Sequence, residues 1–326
     1  MKTFENQEML SALKNANSIL LCTHINPDGD AAGSTLAMAH ALRGMGKSVA
    51  CACADPLPKY AETLPGAVGF TDAEGLKGQR FDAALAIDAA DMRRLGGCAE
   101  AFTQTPVRMQ IDHHPMNPMY AQMNEVDERA PAAACVVFRA LKALGAKITP
   151  EIASCLYCGV STDTGNFCFP GTDAETFAMM SELMDAGLPL PDLARSIHRV
   201  RETQHVKLLG RALNTLHFFG GGKCSGMRLT RDDFASSGAR NEHSSRIVNY
   251  GIDLPGVEMT YLAMQIDEGF VECSLRALPG RDVSVIARKF GGGGHTLAAG
   301  LRCEMGLDDF CMQVEEEMLR QMGEQA

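Results

Sequence analysis

The sequence predicts an α/β protein in two domains: an N-terminal domain built on a parallel sheet and a smaller C-terminal α/β domain, joined by a helical linker. Three observations lead there. Short apolar runs alternate with stretches of helical period from residue 18 to residue 187. The segment Leu188-Pro189-Leu190-Pro191 interrupts that alternation, and a different pattern starts at Lys223. The chain has 326 residues, and roughly 100–200 residues per domain suggests two. The expected boundaries are 1–190 for the first domain, 191–215 for the linker and 216–326 for the second.

In order, 18–23 (SILLCT) reads as a short buried strand, 33–46 as a helix and 48–53 as a second strand. The runs 82–87 and 107–111 are further short strands, and 132–144 and 150–160 are helices, the first stopped by Gly145. A helix over 172–187 also ends in glycine, and 202–219 reads as a long connecting helix. Beyond it, 223–229 is a strand and 241–250 a helix. A hairpin joins 257–266 to 270–275 around Asp267–Gly269. A helix over 282–290, four glycines, a strand over 297–303 and a helix over 307–322 complete the chain.

Lys and Arg number 30 against 40 Asp and Glu, a net charge of −10. Surfaces that hold long nucleic acid need a broad basic field, so no such track is expected. A small anionic substrate held by local charges or metal ions remains compatible. No apolar run approaches the roughly 18 residues of a membrane span. The start, MKTFENQEML, lacks the apolar core of a signal peptide. A cytoplasmic protein without membrane contact, monomer or homodimer, is therefore expected. The 12 cysteines are scattered and several lie in apolar runs, which reads as reduced, buried thiols. Cys155-x-x-Cys158 has no second pair at zinc spacing and reads as core packing.

Four polar clusters fall where strands or helices end. His24, Asp28 and Asp30 follow the first strand, in a stretch that Pro27 and Gly29 allow to turn tightly. Asp88 follows the run 83–87, Asp112-His113-His114 follows 107–111, and Asp163 stands near the end of a helix. Ligands of parallel sheets sit beyond the carboxyl ends of the strands. Carboxylates gathered there without cations would repel one another and raise their pKa values. Two divalent ions offset that, in the arrangement used to hydrolyse phosphate esters. Mixed carboxylate and imidazole donors suit Mn²⁺, with Mg²⁺, Co²⁺ or Fe²⁺ as alternatives. A fifth cluster, Phe290-Gly291-Gly292-Gly293-Gly294-His295, offers backbone N–H groups to an anion, and Arg276 is the nearby candidate for a phosphate fork.

Together these residues resemble the DHH phosphoesterase superfamily, and most closely its group of nanoRNases, the bifunctional oligoribonuclease and 3′-phosphoadenosine 5′-phosphate (pAp) phosphatases. His24-x-x-x-Asp28-x-Asp30 matches the first motif, Asp88 the second, Asp112-His113-His114 the third and Asp163 the fourth. The glycine run ending in His295, followed by Thr-Leu-Ala-Ala-Gly, matches the C-terminal domain associated with DHH. The resemblance implies that His24 and Asp28 hold one ion, that Asp30, His113 and Asp163 hold the other, and that Asp88 bridges both. It implies that His114 faces the substrate phosphate and that Asp112 orients the loop. It also implies that Arg94 approaches the nucleotide, and that Arg276, Gly292, Gly293, Gly294 and His295 belong to the substrate side.

The expected activity is metal-dependent hydrolysis of short oligonucleotides to mononucleotides, with pAp as a further substrate. The alternatives are a phosphodiesterase for linear or cyclic dinucleotides (pApA, cyclic di-AMP) in signalling, and a nucleotide sensor that binds without cleaving. A pyrophosphatase of the same metal domain would lack the glycine run, and a single-strand exonuclease would need more chain for a binding fold.

Overall fold

In the computed structural model, which describes residues 2–169 and 171–323, the chain divides into Met1–Val200 and Arg201–Ala326. The division falls inside the segment read from the sequence as the linker.

The first unit carries six strands, β1 (Ser18–Cys22), β2 (Ser48–Ala52), β3 (Phe70–Thr71), β4 (Ala83–Ile87), β5 (Val107–Asp112) and β6 (Met123–Val126). They pair in the order β3-β2-β1-β4-β5-β6, every pair parallel. β4, Ala-Ala-Leu-Ala-Ile, is buried along its whole length, as befits a strand covered on both faces. Its helices are α1 (Gln7–Asn15), α2 (Gly29–Gly44), α3 (Ala99–Gln104), α4 (Ala133–Leu144), α5 (Pro150–Asp163), α6 (Ala174–Asp185) and α7 (Leu190–Ala194). The chain runs outward from β1 through β2 and β3, then resumes on the other side of β1 at β4. That reversal opens a crevice between the carboxyl ends of β1 and β4.

The helix expected over 33–46 starts four residues earlier, at Gly29, because the Asp28 side chain accepts from the N–H groups of Asp30 and Ala31 and caps it. α2 and α5 meet almost backbone to backbone. A Cβ at Gly33 would stand 2.3 Å from the Cys155 carbonyl oxygen, and one at Gly29 2.5 Å from Thr162 Oγ1. Cys155 and Cys158 are buried in this packing, and no described cysteine joins a metal-binding group.

The second unit carries α8 (Thr203–Asn214), β7 (His217–Phe219), β8 (Cys224–Leu229), α9 (Arg231–Ser237), α10 (Asn249–Ile252), β9 (Met259–Met264), β10 (Phe270–Ala277), α11 (Val283–Lys289), β11 (Gly293–His295), β12 (Ala298–Glu304) and α12 (Leu307–Met322). The sheet order is β11-β12-β10-β9-β8-β7, antiparallel except for β8 beside β9. One face packs Tyr261 and Leu275 against Ile286 and Phe310 from α11 and α12. The other packs Met227 and Leu262 against Leu208 and Phe234 from α8 and α9.

Two expectations are corrected here. The helix over 202–219 ends at Asn214, and its last residues form the edge strand β7 instead. The helix over 241–250 is two short turns, Asn241–Ser244 and α10, with Arg246 between them at φ 65°. The end of the glycine run forms β11. Among the described residues, no helix is long and apolar enough to cross a membrane.

Candidate metal centre

The crevice between β1 and β4 collects the polar clusters of the first unit. His24 lies two residues past β1, Asp88 follows β4 directly, and Asp112 ends β5 with His113 and His114 behind it. Asp28 caps α2, Asp30 sits in its first turn, and Asp163 is the last residue of α5. Thr23 Oγ1 donates to the Ile87 carbonyl at 2.9 Å, and the Asp88 N–H donates to the Ile111 carbonyl. These bonds tie the three strand ends together. Asp88 adopts φ 58°, a left-handed conformation uncommon outside glycine and one that concentrates at functional sites.

The donor atoms form two groups that share Asp88. Its Oδ2 lies 3.6 Å from His24 Nε2, which is 3.9 Å from Asp28 Oδ1. Its Oδ1 lies 3.6 Å from His113 Nε2, which is 3.2 Å from Asp163 Oδ2 and 4.0 Å from Asp30 Oδ2. Backbone carbonyls set the ring orientations. His24 Nδ1 lies 2.7 Å from the Ile25 carbonyl oxygen and His113 Nδ1 3.1 Å from that of Ala130, so both Nε2 atoms face the carboxylates. This is the orientation that metal-binding histidines take from backbone carbonyls. His114 differs. Its Nδ1 donates to Asp112 Oδ1 at 2.8 Å, and its ring is turned 63° from that of His113.

The electrostatics ask for cations. Burial, then the charges of Asp30, Asp28 and Asp163, push the Asp88 carboxyl well up. Burial and Asp163 raise Asp30 to about 7. Burial works against the His113 imidazolium, but Asp163 and Asp30 outweigh it and raise the ring to about 9. Asp88 Oδ1 is buried with no hydrogen-bond donor, an expensive state for a carboxylate. Each of the triads His24–Asp28–Asp88 and Asp30–His113–Asp163 brings three donor atoms within 4.8 Å of one another. The donor set fits two divalent ions with Asp88 between them.

Several supporting groups were not legible as site residues. Asp30 Oδ1 accepts from Ser34 Oγ and the Ala134 N–H, and Oδ2 from the Ala133 N–H, so the buried acid also caps α4. A Cβ at Gly159 would stand 2.6 Å from Asp30 Oδ1; the glycine is what lets α5 approach this carboxylate. The Asn117 amide donates to Asp112 Oδ2 and steadies the acid that orients His114. Only the spacing of Gly29 and Gly33 in α2, with Gly159 in α5, hinted at this close packing.

Arg94 stands beside His24, with Nη2 3.1 Å from Nδ1 and its Nε buried without an acceptor. In the second unit, Arg276 of β10 pairs with Ala298 of β12, which pairs with His295 of β11. Directly paired residues of antiparallel strands share a face, so the guanidinium and the imidazole flank one small side chain. Two strand spacings separate them, about 10 Å. Burial lowers the Arg276 pKa, and no described carboxylate lies within salt-bridge distance of it. Gly292 and Gly294 are demanded by the sheet itself: a Cβ would stand 2.3 Å from the Gly300 carbonyl oxygen and 2.6 Å from that of Ala298. Gly293 has open space at its Cα.

Residues 18–160 match the model of the DHH family, N-terminal domain. A bifunctional oligoribonuclease and PAP phosphatase, NrnA, from Thermus thermophilus is 34% identical over 302 residues, covering 92% of this chain and 88% of that one. The protein of the same name from Bacillus subtilis is 24% identical, covering 90% and 91%. Among solved structures, an exopolyphosphatase-related protein from Bacteroides fragilis superposes with a TM-score of 0.90 at 22% identity, covering 96% of this chain and 95% of that one. That likeness extends the shared fold over both units.

Proposed function

The chain belongs to the DHH family, and on that premise we propose that it is a metal-dependent phosphoesterase that hydrolyses short oligonucleotides to mononucleotides and also acts on pAp. The observation that carries this is the pair of donor groups joined through Asp88, whose buried Oδ1 has no donor of its own. In this reading His24 and Asp28 hold one ion, Asp30, His113 and Asp163 the other, and Asp88 bridges. Mn²⁺ suits the mixed oxygen and imidazole donors. Bound divalent ions supply Lewis-acid polarisation of the phosphoryl oxygens and activate water at neutral pH.

The chain's own residues do the rest. His114 donates its Nδ1 proton to Asp112, which aims Nε2 into the site; an imidazolium ring, with a second proton on Nε2, can donate to a phosphoryl oxygen or pass that proton to the leaving oxygen. The unpaired Arg94 Nε suits a second phosphate oxygen. The row Arg276–Ala298–His295 suits a further phosphate and sugar, with the exposed Gly293 admitting close approach. The names of the relatives support both substrates. The net charge of −10 offers little attraction to extra phosphates.

The test is incubation with Mn²⁺ and pAp, pApA, cyclic di-AMP and oligoribonucleotides of graded length, about 2 to 15 nucleotides. Fastest turnover on the shortest oligomers is expected. A rate that climbs with length overturns the reading. Cleavage of cyclic di-AMP ahead of every linear substrate favours the signalling phosphodiesterase.

A further inference from the structure

The loop that leaves the metal centre at Asp163 has an unusual build. Gly165, Asn166 and Phe167 are all left-handed, at φ 56°, 56° and 66°. Left-handed residues normally occur singly, and a bulky phenylalanine there is an outlier. The loop is nevertheless tightly held. The buried Thr164 accepts at its carbonyl from the N–H groups of both Cys168 and Phe169, and at Oγ1 from that of Phe167. Asn166 N–H donates back to the Ser161 carbonyl on the last turn of α5.

The product of this turn is the position of Phe169. Its ring lies over Gly165, where a Cβ would stand 2.5 Å from ring carbon Cζ. One face is thus fixed on the chain two residues past Asp163, and the side chain is still 57% exposed. Phe167 of the same loop instead packs on Phe177, with ring centroids 5.6 Å apart. A fixed, exposed aromatic ring on the loop that leaves Asp163 suits a flat π-system, and every nucleobase presents one.

We propose that Phe169 is a stacking platform for the nucleobase next to the hydrolysed phosphate. The proposal rests on the oligonucleotide reading above and sharpens it. Stacking without hydrogen bonds holds a base without choosing which one. Strain in the backbone at Phe167 accompanies this placement of the ring, and strain of this kind gathers at sites that use it.

The experiment compares the wild type with Phe169→Ala, Phe169→Leu and Phe169→Tyr. Substrates are pApA and two analogues in which a reduced abasic sugar replaces one adenosine or the other. Phe169→Leu keeps bulk over Gly165 and removes the aromatic face. Expected for pApA is a kcat/KM about tenfold lower for Phe169→Ala and Phe169→Leu, carried by KM, with Phe169→Tyr near wild type. On the analogue lacking the stacked base, all four proteins should be equal. An undiminished Phe169→Leu on pApA, or an equal loss on both abasic analogues, overturns the platform. If Phe169→Ala does not fold, the Leu and Tyr variants decide. A wild type that cleaves neither pApA nor any short oligomer instead overturns the oligonucleotide reading itself.

Discussion

The metal crevice of the first unit and the Arg276–His295 row of the second handle charge in opposite ways. In the crevice, Asp30 and Asp88 are buried and their pKa values are pushed up; the Asp30 carboxylate is held by Ser34 and the N–H groups of Ala133 and Ala134, and Asp88 Oδ1 has no donor. In the row, His295 is exposed, Arg276 is half-buried without a carboxylate, and glycine and alanine lie between. Buried charge at close range can reorganise bonds, because the low local dielectric strengthens it. Charge at an open sheet edge can only select and hold. On the proposed function, the difference assigns chemistry to the unit where charge is crowded and recognition to the unit where it is sparse.

Substitution at Asp88 tests the crowded side most severely. Asp88→Ala should lower turnover by more than about 10³-fold, beyond the roughly 10–100-fold cost of losing an orienting group. Metal content measured on the same preparation should fall at both positions. Two ions per chain with near-normal turnover would remove Asp88 from the bridge.

His114→Ala should cost about 10²–10³-fold, the range of a positioned proton donor, with metal content unchanged. Loss of one ion would instead make His114 a ligand, and the division between two adjacent imidazoles would be wrong.

Gly159→Ala tests whether the crevice depends on helix packing. The added methyl meets Asp30 Oδ1 at 2.6 Å and Ala134 Cβ at 2.8 Å. Overpacking of that kind costs about 1–3 kcal/mol, which chemical denaturation would measure, together with weaker binding of one ion. A neutral result would show that α5 can retreat without moving the carboxylate.

The smallest effect belongs to the open row. Arg276→Ala and His295→Ala should each raise KM for dinucleotides about tenfold, the loss of one charge-assisted hydrogen bond. Hydrolysis of a small generic phosphodiester should be untouched. An equal loss on both substrates would mean that the row supports the fold and takes no part in recognition.

The sequence by itself determined the polar constellation and most of the frame beneath it. Runs such as Ala83–Ile87 are too short and too apolar for anything but buried strands, and an acid placed directly after one has to emerge at the sheet's carboxyl edge. The motif spacing of His24, Asp28 and Asp30, with Asp112-His113-His114, was therefore readable before any coordinates. Edge elements were not. β3 has two residues and β6 reads Met-Asn-Glu-Val, with no apolar period to announce them. The run after Asn214 forms a strand only because β8 is there to pair with it. Tertiary structure alone decided which oxygen of Asp88 faces which imidazole, that Asp30 also caps α4, and that Asn117 holds Asp112. It also decided that Arg276 and His295, 19 positions apart in sequence, flank the same alanine. Local patterns encode which residues are polar and where an element ends. Register, close approach and the direction of a side chain arise only when distant segments pack, and there a missing Cβ at Gly33 or Gly159 carries as much information as a carboxylate.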